Sequence, residues 1–332
     1  MVAPKLTDQQ FRDAWIACGG QAAVLATQHG YTNVRGIYER RNALERRYGW
    51  HLPSGGLGGG HHRGDAGTPV NEYLKRHTVD GFSGVCVVFS DAHYHPGIGS
   101  TTAHRALLEV IKELKPKMVI ANGDIFDGAR LSRFPRNGWE EQPRVSDELT
   151  EVQDRMAEIR HAYRSATLIR TCGNHDIRYD RHLATHASDL EGVQGMRLAD
   201  HLPQWRECMS VFINGHTMVK HRFNGGIHAA YQNTLKAGTN IVTGHTHYLE
   251  VKPWGDYRGR RYGVQTGTLA EPDSPAFGYV EDGPTAWCSG FAVLTFDRQG
   301  VMLPPELCEV IEGVALFRGR PIVDGRKKAR AT

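Results

Sequence analysis

The stretch Val85-Cys86-Val87-Val88-Phe89-Ser90-Asp91-Ala92-His93 decides the fold of this 332-residue chain. Its first five residues form a continuous apolar run, which is typical of a β-strand that is buried on both faces. The run is followed by an acid and an imidazole, Asp91 and His93, and side chains of both kinds bind divalent metal ions. We therefore expect a central strand that carries the first ligands of a metal site at its tip.

Three later clusters of the same kind are Gly123-Asp124-Ile125-Phe126-Asp127, Gly173-Asn174-His175-Asp176 and Gly244-His245-Thr246-His247. Each follows an apolar run and so lies at the end of a predicted strand, where a loop lets side chains converge. The four clusters offer carboxylate, carboxamide and imidazole ligands, a set that suits manganese, iron or zinc. Because a bridging carboxylate holds two such ions about 3.5–4 Å apart, the sequence predicts a catalytic centre with two metal ions.

The order of the predicted elements indicates the fold class. In the first half, strands at 118–121 and 166–171 alternate with helices at 103–115 and 146–163. The second half is richer in strands, which are predicted at 211–213, 218–220, 241–242, 248–252, 259–265 and 291–296. This pattern favours an α/β (α+β) fold in which two mixed β-sheets are sandwiched between helices.

The motifs Asp-x-His, Gly-Asp-x-x-Asp, Gly-Asn-His-Asp, a lone strand-terminal His and Gly-His-x-His occur in that order. Together they resemble the calcineurin-like metallophosphoesterase superfamily over about residues 82–300. The resemblance implies a four-layer sandwich and a phosphoric ester hydrolase with two divalent metal ions as cofactors. Manganese is the ion that we expect, and iron, zinc and nickel are the alternatives.

The resemblance also implies which residues hold each ion. The ligands of one ion would be Asp91, His93, Asp124 and His247. The ligands of the other would be Asp124 as a bridge, a histidine of the fourth motif, Asn174 and His245. The glycines of the motifs are expected to permit sharp turns at the strand ends, and they are Gly123, Gly173 and Gly244.

Two histidines compete for the fourth motif. His221 follows the predicted strand 218–220 and so stands at a strand end, as the motif requires, although Arg222 replaces the family's usual glycine. His216, which follows Gly215, is the rival. We place the ligand at His221 and keep His216 open.

The reaction implied by the resemblance is in-line attack on phosphorus by a water that is activated between the two ions. His175 would contact the scissile phosphate and assist the leaving oxygen, while Asp127 would orient and charge that imidazole. Asp176 either supports the metal ligands from the shell around them without binding an ion itself, or caps the helix that follows it. We favour the cap.

The loop between the second and third clusters, residues 128–139, carries three arginines and two aromatic residues. Arg130 and Arg133 are expected to bind substrate phosphate, and Trp139 is a further candidate for stacking on a base. The alternative is a surface loop whose aromatic side chains cover the sheet.

The N-terminal segment has the pattern of two helices separated by a turn. Residues 22–29 are a predicted helix, Gly30 a turn, and Thr32 or Asn33 the cap of a second helix. That helix has an apolar face of Val34, Ile37, Tyr38, Leu44 and Tyr48. Its other side carries the candidate DNA-binding residues Arg35, Arg40, Arg46 and Arg47. The segment resembles homeodomain-like helix-turn-helix modules of phage and bacterial DNA-acting proteins, which implies DNA binding. A protein-docking or oligomerisation module is the alternative.

These features predict a helix-turn-helix-like domain at 1–51, a glycine-rich linker at 52–79, a metallophosphoesterase domain at 80–317 and a basic tail at 318–332. The chain carries a net charge of +4, and the tail has six Lys/Arg against one Asp. Such a tail either seeks polyanions or is a frayed, solubilising end.

Composition narrows the environment. The chain is 40% hydrophobic and 23% charged, as expected for a globular enzyme, and no apolar run approaches the length of a membrane span. The six cysteines have no paired spacing, so we expect a reducing cytoplasm and no zinc finger.

The leading hypothesis is a two-metal phosphodiesterase that acts on nucleic acid, as a DNA nuclease or end-processing enzyme tethered by its N-terminal module. The first alternative is a phosphatase or a small-molecule (nucleotide) phosphodiesterase with a protein-docking module. The second is a non-catalytic DNA-binding protein with a vestigial metal site. Nucleic acid is the expected partner and a membrane is not, while the oligomeric state is left open.

Overall fold

The computed structural model describes residues 6–48, 50, 52, 76–134, 138, 142–271, 277, 280 and 285–326. The chain divides into two compact units, Met1–Thr68 and Pro69–Thr332. No helix within the described ranges is both long and apolar enough to cross a membrane.

The first unit contains three helices, α1 (Asp8–Ala17), α2 (Ala22–His29) and α3 (Val34–Tyr48). Gly30 ends α2 with φ 68°, a conformation that costs glycine little. The side chain of Asn33 accepts a hydrogen bond from the backbone of Gly36 and so caps α3. The core of the unit is formed by Phe11, Trp15, Leu25, Ile37, Leu44 and Leu52. The predicted apolar face of α3 is wrong at its two ends, because Val34 and Tyr48 are exposed, and the Tyr48 hydroxyl donates to Asp8 on α1 at 3.1 Å.

The strands of the second unit are, in chain order, β1 (Arg76–Val79), β2 (Gly84–Phe89), β3 (Met118–Asn122), β4 (Thr167–Thr171), β5 (Arg206–Cys208), β6 (Ser210–Ile213), β7 (Thr217–Val219), β8 (Asn240–Thr243), β9 (Leu249–Asp256), β10 (Gly259–Thr266), β11 (Gly290–Phe296), β12 (Glu306–Ile311), β13 (Val314–Phe317) and β14 (Arg320–Asp324). Its helices are α4 (Thr102–Leu114), α5 (Val145–Ala162), α6 (Ile177–His186) and α7 (Ala229–Ala237).

These strands form two mixed sheets. The larger has the order β14-β13-β12-β11-β2-β3-β4-β5, and the smaller has the order β1-β6-β7-β8-β10-β9. Strands β2, β3, β4 and β5 pair with one another in parallel. Strand β11 is antiparallel to β2, and the pairs from β11 to β14 are antiparallel as well. Helix α4 packs on the larger sheet and α7 on the smaller one. The predicted fold of two mixed sheets between helices is confirmed.

Strand β2 explains the layering. Val87 and Phe89 join a core beneath the helices, and Cys86 and Val88 join a second core between the two sheets. Both faces are therefore buried, as the unbroken apolar run predicts. Pairing of Phe89 with Ala121 brings the ends of β2 and β3 to one edge of the sheet, where β4 also ends.

Two segments differ from expectation. Residues 76–79, expected in the linker, form β1, and residues 320–324, expected in the tail, form β14. The arginines of this region bind acids of the fold: Arg318 pairs with Glu306 and Arg326 with Asp324. Residues 320–324 form the edge strand of the larger sheet and pair antiparallel with β13. A count of charges in the tail cannot predict this strand. The rest of the expected linker and tail, 53–75 and 327–332, lies outside the described residues.

Candidate metal centre

The four motifs converge at the strand ends. Asp91 and His93 follow β2, Asp124 follows β3 and Asn174 follows β4 in the larger sheet, while three histidines come from the smaller sheet after β7 and β8. Five candidate ligands adopt positive φ, a conformation that non-glycine residues rarely accept without a functional reason. They are Asp91 (53°), His93 (39°), Asp124 (53°), His245 (73°) and His247 (60°).

One cluster contains Asp91, His93 and His247, whose ligand atoms all lie within 4.8 Å of one another. All three residues are buried. His247 Nε2 lies 3.2 Å from Asp91 Oδ1. This is the ligand set implied for one ion, apart from the bridge.

A second cluster contains Asp124, His221 and His245, again with ligand atoms within 4.8 Å. His221 Nε2 lies 3.0 Å from Asp124 Oδ2. His221 Nδ1 donates to the carbonyl of Asn122 at 2.7 Å. Because a carbonyl only accepts, this bond fixes the tautomer and leaves Nε2 for a metal.

The rival histidine lies elsewhere. His216 Nε2 lies 2.8 Å from the carbonyl oxygen of Gly300, and His216 Nδ1 lies 3.0 Å from Thr217 Oγ1. Both ring nitrogens of His216 therefore have partners at the opposite end of β7 from His221.

Two buried atoms that could each bind a metal ion indicate whether the site suits cations. His93 Nε2 and Asn174 Oδ1 have no hydrogen-bond partner within the described part of the chain. An unpartnered buried polar atom is costly, and a bound cation would satisfy both. His93 Nδ1 lies 3.1 Å from Asp127 Oδ1, which directs Nε2 toward the cluster. The residues present thus fit two divalent ions.

The charge of the site also favours cations. Burial raises the pKa of Asp124, but His221 and His175 outweigh burial and hold that pKa well below its usual range. The pKa of Asp91 is lowered in the same way, because His221 and His247 outweigh its burial. The two carboxylates are therefore ionised and buried together, an arrangement that positive charge stabilises.

Asp127 joins His93 to His175. Its Oδ1 accepts hydrogen bonds from His175 Nδ1 at 2.7 Å and from His93 Nδ1 at 3.1 Å. Burial lowers the pKa of His175, but the bond to Asp127 together with the charges of Asp124 and Asp127 outweighs burial and raises that pKa. Asp127 thus contacts both imidazoles, and its role in orienting and charging His175 stays a prediction.

Asp176 does not cap α6, and the favoured prediction for it is wrong. The helix shows no side-chain cap bond, and the Asp176 carboxylate instead points back to the two loops. It accepts hydrogen bonds from the backbone nitrogens of Asp124 (2.9 Å), Ile125 (3.1 Å), Phe126 (3.2 Å) and Gly173 (2.9 Å). Four hydrogen bonds from backbone amides stabilise the carboxylate in this position more than a bond to the first turn of α6 would.

The motif glycines allow close approach more than they allow turns. Of the three, Gly123 alone has positive φ, 83°. A Cβ on Gly173 would lie 2.0 Å from Asp124 Oδ1, and one on Gly244 would lie 2.5 Å from Ser90 Oγ. The expectation of a sharp turn is therefore wrong at Gly173 and Gly244. The absence of a side chain at these two positions instead lets Asp124 and Ser90 approach the glycine backbone.

A cavity of about 910 Å³ opens beside Asn174 and His221. We call it the basic cavity, because its cationic lining residues are Arg130, Arg133, Arg178, Arg181, Lys220 and Arg222. Of the predicted substrate contacts, Arg130 also bonds the carbonyl of Gln142 at 2.9 Å, and Arg133 lies over the Phe134 ring. Trp139 lies outside the described residues.

Sequence reasoning missed four of these cations. Arg178 and Arg181 lie on one side of α6 at a spacing of three residues, which the sequence displays but no motif marks. Lys220 and Arg222 flank His221. The replacement of the family's usual glycine by Arg222 was the one sequence signal that could have indicated a cation at this position.

The arginines proposed for DNA binding are not equivalent. Arg35 is exposed and pairs with Glu39 at 2.9 Å, and Arg47 is exposed with Asp8 3.9 Å away. Arg40 is instead held inside the unit, donating to the carbonyl of Leu6 at 2.6 Å and to Asp8 at 3.1 Å.

Arg40, a candidate for DNA binding, is therefore engaged in contacts within its own unit. Its guanidinium also lies 4.8 Å from the centre of the Phe11 ring, so it stabilises the three-helix core. The side chain of Arg46 lies outside the described residues.

Sequence and structure comparisons relate this chain to known proteins. The family model described as Calcineurin-like phosphoesterase matches residues 85–265. The Gene 54 protein of Mycobacterium phage L5 is 28% identical over 246 residues, which are 67% of this chain and 90% of that protein. Among solved structures, Yfce, a phosphoesterase from E. coli, is 17% identical with a TM-score of 0.32, covering 67% of this chain and 97% of its own. A novel archaeal phosphodiesterase is 15% identical with a TM-score of 0.35, covering 68% and 99%.

Proposed function

This chain belongs to the calcineurin-like phosphoesterase family and is a metal-dependent hydrolase of phosphoric esters, and we propose that it cleaves phosphodiester bonds in nucleic acid. DNA is the proposed substrate, and the proposed role is that of a nuclease or end-processing enzyme. The basic cavity carries this proposal, because it has six cationic side chains and no carboxylate among its described lining residues. A polyanionic backbone is the ligand that such a lining favours.

The proposed ligands of one ion are Asp91, His93, Asp124 and His247, and those of the other are Asp124, Asn174, His221 and His245. When bound, two divalent cations activate water for attack on phosphorus and neutralise charge on the phosphoryl oxygens. We propose manganese as the ion, since oxygen and imidazole donors without sulfur suit it.

His175 is the proposed proton donor to the leaving oxygen. Its Nδ1 is held by Asp127, so Nε2, which lies 3.3 Å from Arg178 Nη2, is the nitrogen that would exchange a proton with the leaving oxygen. The neighbouring Arg178 donates to the backbone carbonyl of Asp127 at 2.8 Å, which fixes its guanidinium beside His175. Arg130 and Arg133, which also line the cavity, are proposed to bind the substrate.

Purified protein with manganese tests the proposal on a chromogenic phosphodiester, a phosphomonoester, and single- and double-stranded DNA and RNA. We expect hydrolysis of the diester and of DNA. Hydrolysis of the monoester or of the chromogenic diester with nucleic acid left intact would instead support a phosphatase or a nucleotide phosphodiesterase. Absence of any metal-dependent hydrolysis would support the vestigial site.

The three-helix unit is proposed to tether the enzyme to DNA and so raise the local substrate concentration. The exposed Arg35 and Arg47 on α3 support this role. The reducing cytoplasm also remains a proposal, supported by six free cysteines of which four are buried.

A further inference from the structure

One side of helix α6 continues the basic cavity away from the metal centre. The lining residues contributed by this helix include Arg178, Arg181, His182, Thr185 and His186, a spacing that places them on a single helical face. From Arg178 to His186 the helix rises about 12 Å at 1.5 Å per residue. The wall therefore extends farther from the metal ligands than one phosphate group reaches.

Three of the cations that line the basic cavity are not neutralised. Arg181, Lys220 and Arg222 have no carboxylate partner within the described part of the chain, whereas Arg178 lies 3.8 Å from Asp127 Oδ1. Lys220 and Arg222 come from the end of β7, so they lie on either side of the candidate ligand His221. Unpaired cations on two elements that line one cavity favour a ligand with several negative charges.

Two exposed aromatic rings accompany these cations. Phe134 lines the cavity and is 64% exposed, and Phe223 is 41% exposed. Each ring has a cation above it: the guanidinium of Arg133 lies 5.1 Å from the centre of the Phe134 ring, and Lys220 Nζ lies 5.1 Å from that of Phe223. Exposed aromatic faces beside cations are the pattern by which proteins stack unpaired bases.

We propose that the basic cavity binds an unpaired nucleic-acid strand. Phosphates that flank the scissile bond bind Arg181, Lys220 and Arg222, and bases stack on Phe134 and Phe223. A duplex keeps its base faces stacked on one another, so an unpaired strand alone offers them to the two rings. This inference rests on the proposed function and narrows its substrate to single strands, overhangs or frayed ends.

The test uses the full chain with manganese and compares three substrates: a single-stranded oligonucleotide, a blunt duplex of the same sequence and a small chromogenic diester. The wild-type protein is expected to cleave the single strand at least about tenfold faster than the blunt duplex. Equal rates on both would overturn the inference while leaving the proposed nuclease function intact. Hydrolysis of the small diester with no cleavage of any nucleic acid would overturn the proposed function itself.

Two variants locate the binding site. Arg181→Gln removes one charge-assisted phosphate contact and Phe223→Leu removes one stacking face. Each is expected to lower kcat/KM on the single strand about tenfold more than on the small diester. Arg181→Gln should also reduce the dependence of log KM on log salt by about 0.7.

Matched controls lie away from the cavity. Arg298 is an exposed arginine, and Tyr257 is an exposed aromatic residue at the β9–β10 turn. Arg298→Gln and Tyr257→Leu should leave the ratio of the two substrates within about twofold of wild type. Losses in Arg181→Gln and Phe223→Leu that equal those in the two controls, or no loss on the single strand in Arg181→Gln and Phe223→Leu, would overturn the inference.

Discussion

The carboxylate of Asp176 lies 2.9 Å from the backbone nitrogen of Asp124, the residue placed between the two metal-ligand clusters. The same carboxylate bonds Gly173, so one side chain ties the second motif loop to the third. It also lies 3.6 Å from the buried guanidinium of Arg170, which pairs in turn with Glu207 on β5. The backbone of Asp124, the proposed bridging ligand, is thus held by residues that belong to neither candidate metal cluster.

Asp176→Asn should loosen the bridge. An asparagine has one acceptor oxygen and turns donor hydrogens toward amides that are donors themselves, so at least one amide is left unpaired. We expect a loss of about 1–3 kcal/mol in the free energy of unfolding without metal, and weaker manganese binding. Denaturant unfolding and calorimetric titration measure the two effects. Unchanged manganese affinity would show that the loops hold Asp124 without this carboxylate.

His221 and His216 form a matched pair for metal counting. His221→Ala should reduce the manganese bound per chain from two ions to one, because it removes a donor from the Asp124–His221–His245 cluster. His216→Ala should retain two ions, since His216 bonds Gly300 and Thr217 instead. Metal analysis after dialysis gives the stoichiometry. The reverse pattern would assign the fourth motif to His216.

His175 can be tested by the leaving group. Proton donation helps an alkoxide leave far more than it helps a nitrophenolate, which leaves without a proton. His175→Asn is therefore expected to lower kcat on DNA by about 10²–10⁴-fold and to lower kcat on a nitrophenyl diester much less. Asp127→Asn should act in the same direction, because Asp127 holds His175 Nδ1. Equal losses on both esters would indicate phosphate binding rather than proton transfer.

The three-helix unit offers a contrast between exposed and engaged arginines. The double variant Arg35→Ala/Arg47→Ala should weaken DNA binding and its salt dependence without lowering the thermal stability of the unit. Arg40→Ala should lower that stability instead, since Arg40 bonds Leu6 and Asp8. Fluorescence anisotropy and thermal unfolding separate the two results. Wild-type DNA affinity in the double variant would favour a protein-docking module.

Glu148 makes stability depend on pH. Burial raises the pKa of its carboxyl to about 7, although a hydrogen bond from the Gly128 backbone partly opposes this. The folded state therefore binds a proton that the unfolded state releases above its usual pKa, and stability falls as pH rises from about 4.5 through 7.

Glu148→Gln should remove this dependence. The variant and the wild type are expected to be similarly stable at pH 4, while at pH 8 the variant is more stable by about 3 kcal/mol, at 1.36 kcal/mol per pKa unit. Urea unfolding at both pH values measures the difference. A difference that does not change with pH would contradict the buried-acid account.

The parts predicted from sequence are those that a local pattern encodes. An unbroken apolar run indicates a strand buried on both faces, and the polar motif after it indicates the strand end. Both β2 and Asp91 could therefore be predicted from the sequence. The same logic located β3 with Asp124 and β4 with Asn174.

The parts that escaped prediction depend on contacts between distant residues. Arg40 lies on the polar arc of its helix, yet it is drawn inward by Asp8, 32 residues away. Asp176 has the position of a helix cap, but amides some 50 residues earlier bind it more favourably. Strand β14 exists because β13 offers it an edge, which a basic composition conceals.

Crystals grown with manganese test the central claim most directly, through the anomalous scattering of the ion. Two peaks are expected about 3.5–4 Å apart. One should lie among Asp91, His93 and His247, the other among Asn174, His221 and His245, with Asp124 touching both. A single peak, or peaks that lie away from Asp124, would contradict the two-metal centre.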